Sequence, residues 1–498
     1  MPQCIVLDRP LTWRQVAVVA GGGALALSEA AQSRILAAHA LVEAIVHKGV
    51  RAYGVNTGVG ALCDMVIATS QQERLSRNIV MSHAVGVGLP LGRTAVRAMI
   101  AAAINNFSHG FSGVRPAVAD GLLALLQFDC VPEVPASGSV GYLTHMAHIA
   151  LVLIGEGSAL SRGRSISGAE ALQSMRLAPL LLRAKEGLSL VNGTPCATGL
   201  SALALARTER LLDAADVVAA MTFENLHGQL AVFDAEALGL RVSDGVRRVG
   251  ERLRAALAGS ATLQKSAGRR TQDPLSLRAV PQVHGAARDL FAHAARVVDD
   301  ELASVSDNPV VVGTVAEPRA LSGANAVGAA LGLCADSLGV AVAEVAAMSE
   351  RRLDRLVNPL VSNLPAFLTA DEGASSGFMI AQYSAVSLVA ENRRLAAPAS
   401  LDGGVTSGLQ EDHLSHATPA ALKLLKIIDN AEVILAIELL AAAQAYDLQR
   451  EPPARAPHTD ALYRWLRARI ARYEDDRPLG ADIESARELL NGPLPHLA

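Results

Sequence analysis

Aromatic residues are scarce, at 3% of 498 positions. With alanine and leucine abundant instead, that scarcity favours helix over sheet. Cysteine is also sparse. Cys4, Cys63, Cys130, Cys196 and Cys334 are scattered, odd in number and without a C-x-x-C pair. That pattern fits a reducing cytoplasm rather than a disulfide framework or a zinc site. No strong charge of either sign is present: the net charge is −4 and the pI about 6.4. Nothing here calls for nucleic acid or an anionic membrane as a partner. An uncharged run of about 20 apolar residues, which a membrane span needs, is missing too. Apolar residues reach 51% and mean hydropathy is +0.29. Yet residues 324–348 carry Asp336 and Glu344, and residues 431–446 carry Glu432 and Glu438. Such segments are expected as helices buried nearly all round, in a bundle or at subunit contacts. The first 27 residues hold Asp8, Arg9 and Arg14 and lack the layout of a secretion signal.

What is present reads as helix with an irregular beginning. Residues 4–7 and 16–19 read as short strands. Ser28 is placed to cap a helix whose apolar positions run from Ile35 to Ile45 and which stops at Gly49. Gly and Pro break residues 61–190 into shorter pieces, and the prolines make 131–135 extended. From there long apolar helices are expected over 197–235, 284–306, 324–356, 375–397 and 418–448. The expected division is an N-terminal domain over 1–192, a long-helix bundle over 193–449 and a more charged, peripheral helical cap over 450–498.

Several segments carry groups able to do chemistry. Tyr53-Gly54-Val55-Asn56-Thr57-Gly58-Val59-Gly60 is glycine-rich but lacks the Gly-Lys-Ser/Thr end of a phosphate loop and the spacing of a dinucleotide fingerprint. Its glycines suit a sharp turn close to a ligand. His83 on its own reads as a structural histidine, Arg278 as a surface ion pair, and Asn192 as part of a helix end followed by a glycine turn. Glu411, Asp412 and His413 are adjacent and so face different ways, which makes a poor metal site. His145 and His148 share one helical face without a third ligand and read as structural.

Taken together these segments resemble the histidine ammonia-lyase family of aromatic amino-acid ammonia-lyases. The glycine-rich loop matches YG-x-NTGFG with Val59 for Phe, and Ser82-His83-Ala84-Val85-Gly86-Val87-Gly88 matches SHAAGVG. Lys185 to Thr194 matches KEGLALxNGT, Gln272 to Arg278 matches QDPYSLR, and Thr406 to His413 matches TSANQEDH. Ser306-Asp307-Asn308-Pro309 and Ser322-Gly323-Ala324-Asn325 continue the likeness. In the family, GSVG is followed by Ala-Ser-Gly, which cyclises into the electrophile methylidene-imidazolone (MIO). Here Gly138-Ser139-Val140-Gly141 runs straight into Tyr142-Leu143-Thr144-His145. The flanks align only with three residues absent after Gly141. A second Ala-Ser-Gly, Ala136-Ser137-Gly138, lies just upstream and out of register by three.

The resemblance implies a mainly α fold of the fumarase/aspartase-like type, a homotetramer with sites shared between subunits, and an amino-acid substrate. It implies MIO between Gly141 and Tyr142, with no metal or nucleotide. It makes Tyr53 the catalytic base, its phenol lowered by the site from a pKa near 10. It gives His83 and Glu411 the substrate's ring and amine, Asn192 and Arg278 its carboxylate, and adds Gln272 and Asn325 to the binding set. Leu275 stands where relatives have tyrosine, Ala326 and Val327 where they have Phe-His, and Tyr142 where they have aspartate. The family's aspartate is thought to assist cyclisation, so Tyr142 bears on MIO formation, while Leu275, Ala326 and Val327 mark specificity positions. A histidine-type substrate is expected first; one other or larger than histidine is allowed by these departures, and tyrosine and phenylalanine are further candidates. Three readings stay open on the sequence: an ammonia-lyase, an aminomutase that returns ammonia to the β-carbon, and an inactive structural or regulatory homologue.

Overall fold

The computed structural model describes residues 4–371, 373–401, 403–449 and 453–495. By internal contacts the chain forms two units that interleave along the sequence. The first takes the chain up to Ala206, with Ala294–Asp336 and Pro398–Leu422; the second takes Arg207–His293, Ser337–Ala397 and the chain from Lys423 on. The proposed segments 1–192, 193–449 and 450–498 follow composition, whereas these units follow contacts.

Local sequence explains most elements. Ser28 caps the helix Glu29–His47, its Oγ accepting from Ala31 N at 3.1 Å, and Gly49 follows with φ +63. Strand Cys4–Leu7 is present and pairs in parallel with Ala24–Leu27, a strand absent from the sequence reading. Residues 16–19 are a correction. They lie in the helix Trp13–Ala20, closed at its start by a capping box between Thr12 and Gln15. Four apolar residues carry no period of their own, and the cap upstream decided the outcome.

The long helices are Pro195–Asn225, Val280–Leu302, Ala329–Val357, Met379–Leu395 and Ala417–Leu448. The one expected over 197–235 ends ten residues early. His227 adopts φ 52, and a short 3-10 turn, Leu230–Phe233, follows. Helices Pro457–Arg467 and Gly480–Asn491 occupy the C-terminal segment. By length and composition alone, residues 186–225 and Ala329–Val357 are apolar enough to cross a membrane. Their most apolar windows are 94% and 67% buried within the fold, which accounts for the hydropathy without a bilayer.

In the first unit, Ala52 and Val55 are buried with Leu41, Val42, Ile45 and Val311, which anchors the glycine-rich loop. The helix Gln72–His83 lies against Glu186–Val191. The approach is closest at Gly187, where an added Cβ would stand 2.0 Å from Ser76 O. Gly187→Ala is therefore expected to destabilise the protein by about 1–3 kcal/mol, read as a lower thermal midpoint.

Candidate active site

Tyr53, His83, Tyr142 and Glu411 come together in the first unit. The half-buried Tyr53 Oη accepts a hydrogen bond from Gly60 N at 3.2 Å. Gly60 sits at φ +57, and a Cβ there would meet Ser407 Oγ at 2.2 Å. A glycine is needed at this point, where the loop presses on the segment leading to Glu411. Residues 406–411 close on themselves through Thr406 N to Glu411 O at 2.8 Å. Glu411 Oε2 accepts from Tyr142 Oη at 3.1 Å and from Thr406 Oγ1 at 3.3 Å. Among the described residues Glu411 makes no ion pair.

The electrostatics departs from the expectation for Tyr53. Its pKa is raised, not lowered: burial is the largest cause, and the Glu411 carboxylate adds to it against the Gly60 N–H, which opposes it. Tyr142 is pushed further up by burial and by Glu411, so this phenol stays protonated. His83 has its pKa lowered, chiefly by burial, and stays neutral at ordinary pH; its Nδ1 lies 3.1 Å from Ser82 Oγ. Without a bound cation, Tyr53 is thus a protonated phenol. A positive charge beside Glu411 would remove one of the causes that hold that proton, burial remaining the larger.

Residues 138–143 lie where three helices begin. Thr144–Leu153 starts directly after them. Val140 O accepts from His416 N at 2.8 Å and Gly141 O from Thr418 Oγ1 at 3.0 Å, at the start of Ala417–Leu448. Cys196, in the first turn of Pro195–Asn225, is hydrogen-bonded to Thr418. Three N-termini give the spot a partial positive charge suited to an anion. Leu143 N donates to Val191 O at 3.1 Å, which ties the loop to the residue before Asn192.

The residues at this junction do not fit MIO. Gly141 is followed directly by Tyr142, and the three residues that precede Tyr142 are Ser139-Val140-Gly141, with a valine where a serine must dehydrate. Ser139 Oγ is itself engaged, donating to Tyr142 O at 3.0 Å and accepting from Gly141 N at 3.1 Å. Ala136-Ser137-Gly138 is no substitute. Ser137 is exposed and held extended in strand Pro135–Ser137, opposite Val87. An extended, paired backbone keeps the glycine nitrogen away from the carbonyl it would have to attack. The family implies MIO between Gly141 and Tyr142, and on these grounds the residues of this chain do not accommodate it.

The remaining expected residues divide in two. Asn192 is buried and donates from Nδ2 to Asn308 O at 2.7 Å. Ala326 is buried, Val327 half-buried and Asn325 exposed, all in the first unit. Gln272, Leu275 and Arg278 belong to the second unit, where they line a cavity of about 490 Å³ with Gln229 and Gln282. Arg278 Nε is buried there with no hydrogen-bond partner among the described residues. Leu275 is 62% exposed, which leaves a large apolar side chain facing solvent. His145 Nε2 lies 3.1 Å from Ala136 O, and His148 Nε2 accepts from Gly86 N at 3.0 Å. Among the described residues no group of three or more His, Cys, Asp or Glu is placed to hold a metal.

One feature that sequence reasoning missed supports the site from beneath. Lys185 and Asp307 form a fully buried ion pair at 3.0 Å, and Lys185 Nζ also donates to Ser189 Oγ at 2.8 Å. Both residues lie in matched sequence blocks, KEGL and SDNP, so the signal was there without a role attached.

A family model described as aromatic amino acid lyase matches residues 11–468. The histidine ammonia-lyase of Symbiobacterium thermophilum is 43% identical over 497 residues, covering 99% of this chain and 97% of that protein. The crystal structure of histidine ammonia-lyase from Trypanosoma cruzi superposes with a TM-score of 0.90 at 34% identity, covering 98% of this chain and 93% of the other. The tyrosine aminomutase of Streptomyces globisporus gives 0.92 at 33% identity, covering 99% and 97%. The mainly helical fold is that of these enzymes, in the fumarase/aspartase-like superfamily, as the sequence implied.

Proposed function

The chain belongs to the aromatic amino acid lyase family, and on that premise we propose that it is a carbon–nitrogen lyase. Its substrate is an amino acid with an imidazole-like ring; its products are an α,β-unsaturated acid and the departing amine, ammonia where the α-nitrogen is primary. The observation that carries this reading is the convergence of Tyr53, His83 and Glu411 in one site. Tyr53 takes the β-proton. Neutral His83 meets the ring, since an imidazole both donates and accepts hydrogen bonds. Glu411 holds the cationic nitrogen until it leaves. The substrate carboxylate is assigned to Asn192 and the helix N-termini near residues 138–143, with Arg278 of another subunit as a bidentate clamp. Family members supply an electrophile that converts the amine into a better leaving group; the junction at Gly141 and Tyr142 lacks the serine to make one.

Several features support assembly into a homotetramer with shared sites. Val340 on Ala329–Val357, and Ile380, Tyr383 and Val386 on Met379–Leu395, are exposed apolar residues on long helices. In such an assembly Gln272 and Arg278 of one subunit would complete the site of another. The reading is tested by following unsaturated-acid formation from imidazole, phenol and phenyl compounds that share one α-nitrogen. The imidazole compound is expected to react fastest, and His83→Phe should shrink that preference by about 10- to 200-fold. No unsaturated acid from any of the three would defeat the assignment.

A further inference from the structure

We propose that the nitrogen this chain eliminates is one that leaves unaided: the α-trimethylammonium group of a betaine bearing an imidazole-like ring, seated against Glu411, Tyr53 and Tyr142. The inference rests on the lyase reading above and names the substrate class of that same site.

The first ground is covalent. Nothing at the loop captures an amine: Gly141 is bonded to Tyr142, Val140 stands in the middle position, and Ser137 is held in a paired strand. A primary amine left to itself departs poorly, because its cationic form loses a proton more readily than it loses carbon. A nitrogen carrying three methyl groups has no such proton. Breaking the bond to Cα is the route by which it sheds its charge.

The second ground is the seat. Among the described residues the Glu411 carboxylate has only hydroxyl partners, Tyr142 Oη at 3.1 Å and Thr406 Oγ1 at 3.3 Å, and no ion pair. A carboxylate beside phenol rings, with no cation of the chain's own opposite, suits a cation that donates no hydrogen bond. Tyr142, buried with 8% exposure, supplies one of those rings at the position where the family's sequence has aspartate.

The third ground concerns the base. Burial and the Glu411 charge hold the Tyr53 proton in place. A quaternary nitrogen beside Glu411 offsets that charge at every pH, whereas an ammonium does so only while protonated. The step then balances without a co-reactant. The Tyr53 phenolate takes a proton from Cβ, the C–H pair becomes the Cα–Cβ double bond, and the Cα–N pair leaves with nitrogen as neutral trimethylamine.

The test uses the full chain. Its intact mass is measured, and the protein is then given histidine and the α-N,N,N-trimethyl betaine of histidine in parallel. The readouts are amine release and the absorbance of the unsaturated acid. The expected result is a mass equal to that of the translated chain and a kcat/KM at least about 100-fold higher for the betaine. Glu411→Gln should lower the betaine value at least about tenfold; an unchanged value would remove the cation's seat and overturn the proposal. A mass lighter by two water molecules would show that an electrophile has formed and would overturn it too. Histidine turnover equal to or faster than the betaine's does the same while leaving the lyase reading intact. Turnover of neither compound overturns the proposal, and the phenol and phenyl compounds then decide the lyase reading.

Discussion

Tyr53→Phe is expected to cut kcat by about 10²- to 10⁴-fold, the usual worth of a positioned general base, while leaving the fold nearly unchanged. Among the described residues the hydroxyl receives a single hydrogen bond, from Gly60 N at 3.2 Å, at a half-buried position, so its removal costs little stability. The wild-type protein should show the matching pH profile. Because burial and Glu411 raise the phenol's pKa, the basic form is the minor one near neutrality and grows as pH rises. kcat/KM should therefore climb with pH over about 7 to 9, and the climb should vanish in Tyr53→Phe. A variant that kept full rate and the same profile would show that another group takes the β-proton.

Asp307→Ala is expected to be the most destabilising single change near the site, at about 3–5 kcal/mol, because it strands a buried ammonium. Lys185 and Asp307 are both fully buried, and Ser189 Oγ takes a further Nζ proton. Burial already pulls the Lys185 pKa down, against the pull of Asp307, so without its partner the lysine would shed its proton or open the structure. The consequence reaches the site. Lys185 precedes the helix Glu186–Val191, which ends at Asn192, and Asn192 holds Asn308 O at 2.7 Å beside Asp307. Denaturant midpoints measure the loss. The double variant Lys185→Met with Asp307→Leu, which removes both charges together, should recover much of it. If the single and double variants were equally unstable, the pair's charge would not be what matters.

The helices were legible because they repeat. Ser28, the apolar spacing from Ile35 to Ile45 and Gly49 state one helix from cap to stop, and the helix Glu29–His47 follows them. Residues 16–19 were not legible as helix, since four apolar residues fit either period and a capping box outside the run decided between them. Tyr53, His83 and Glu411 were legible as members of one site only through the resemblance, because they stand far apart in sequence and share no spacing.

What the junction itself can form is read from the sequence, whereas the exclusion of the upstream Ala136-Ser137-Gly138 needed the fold, which holds Ser137 in a paired strand. A chain that passes from Gly141 to Tyr142, with valine before the glycine, has no serine there to dehydrate, and no folding can supply a missing atom. Electrostatics was settled by the tertiary structure alone. Only the fold sets the Tyr142 hydroxyl against Glu411, buries the Tyr53 phenol so that its proton is held rather than released, and hides Lys185 with Asp307. Charge and burial are properties of a surrounding, and those surroundings are assembled from residues that lie hundreds of positions apart.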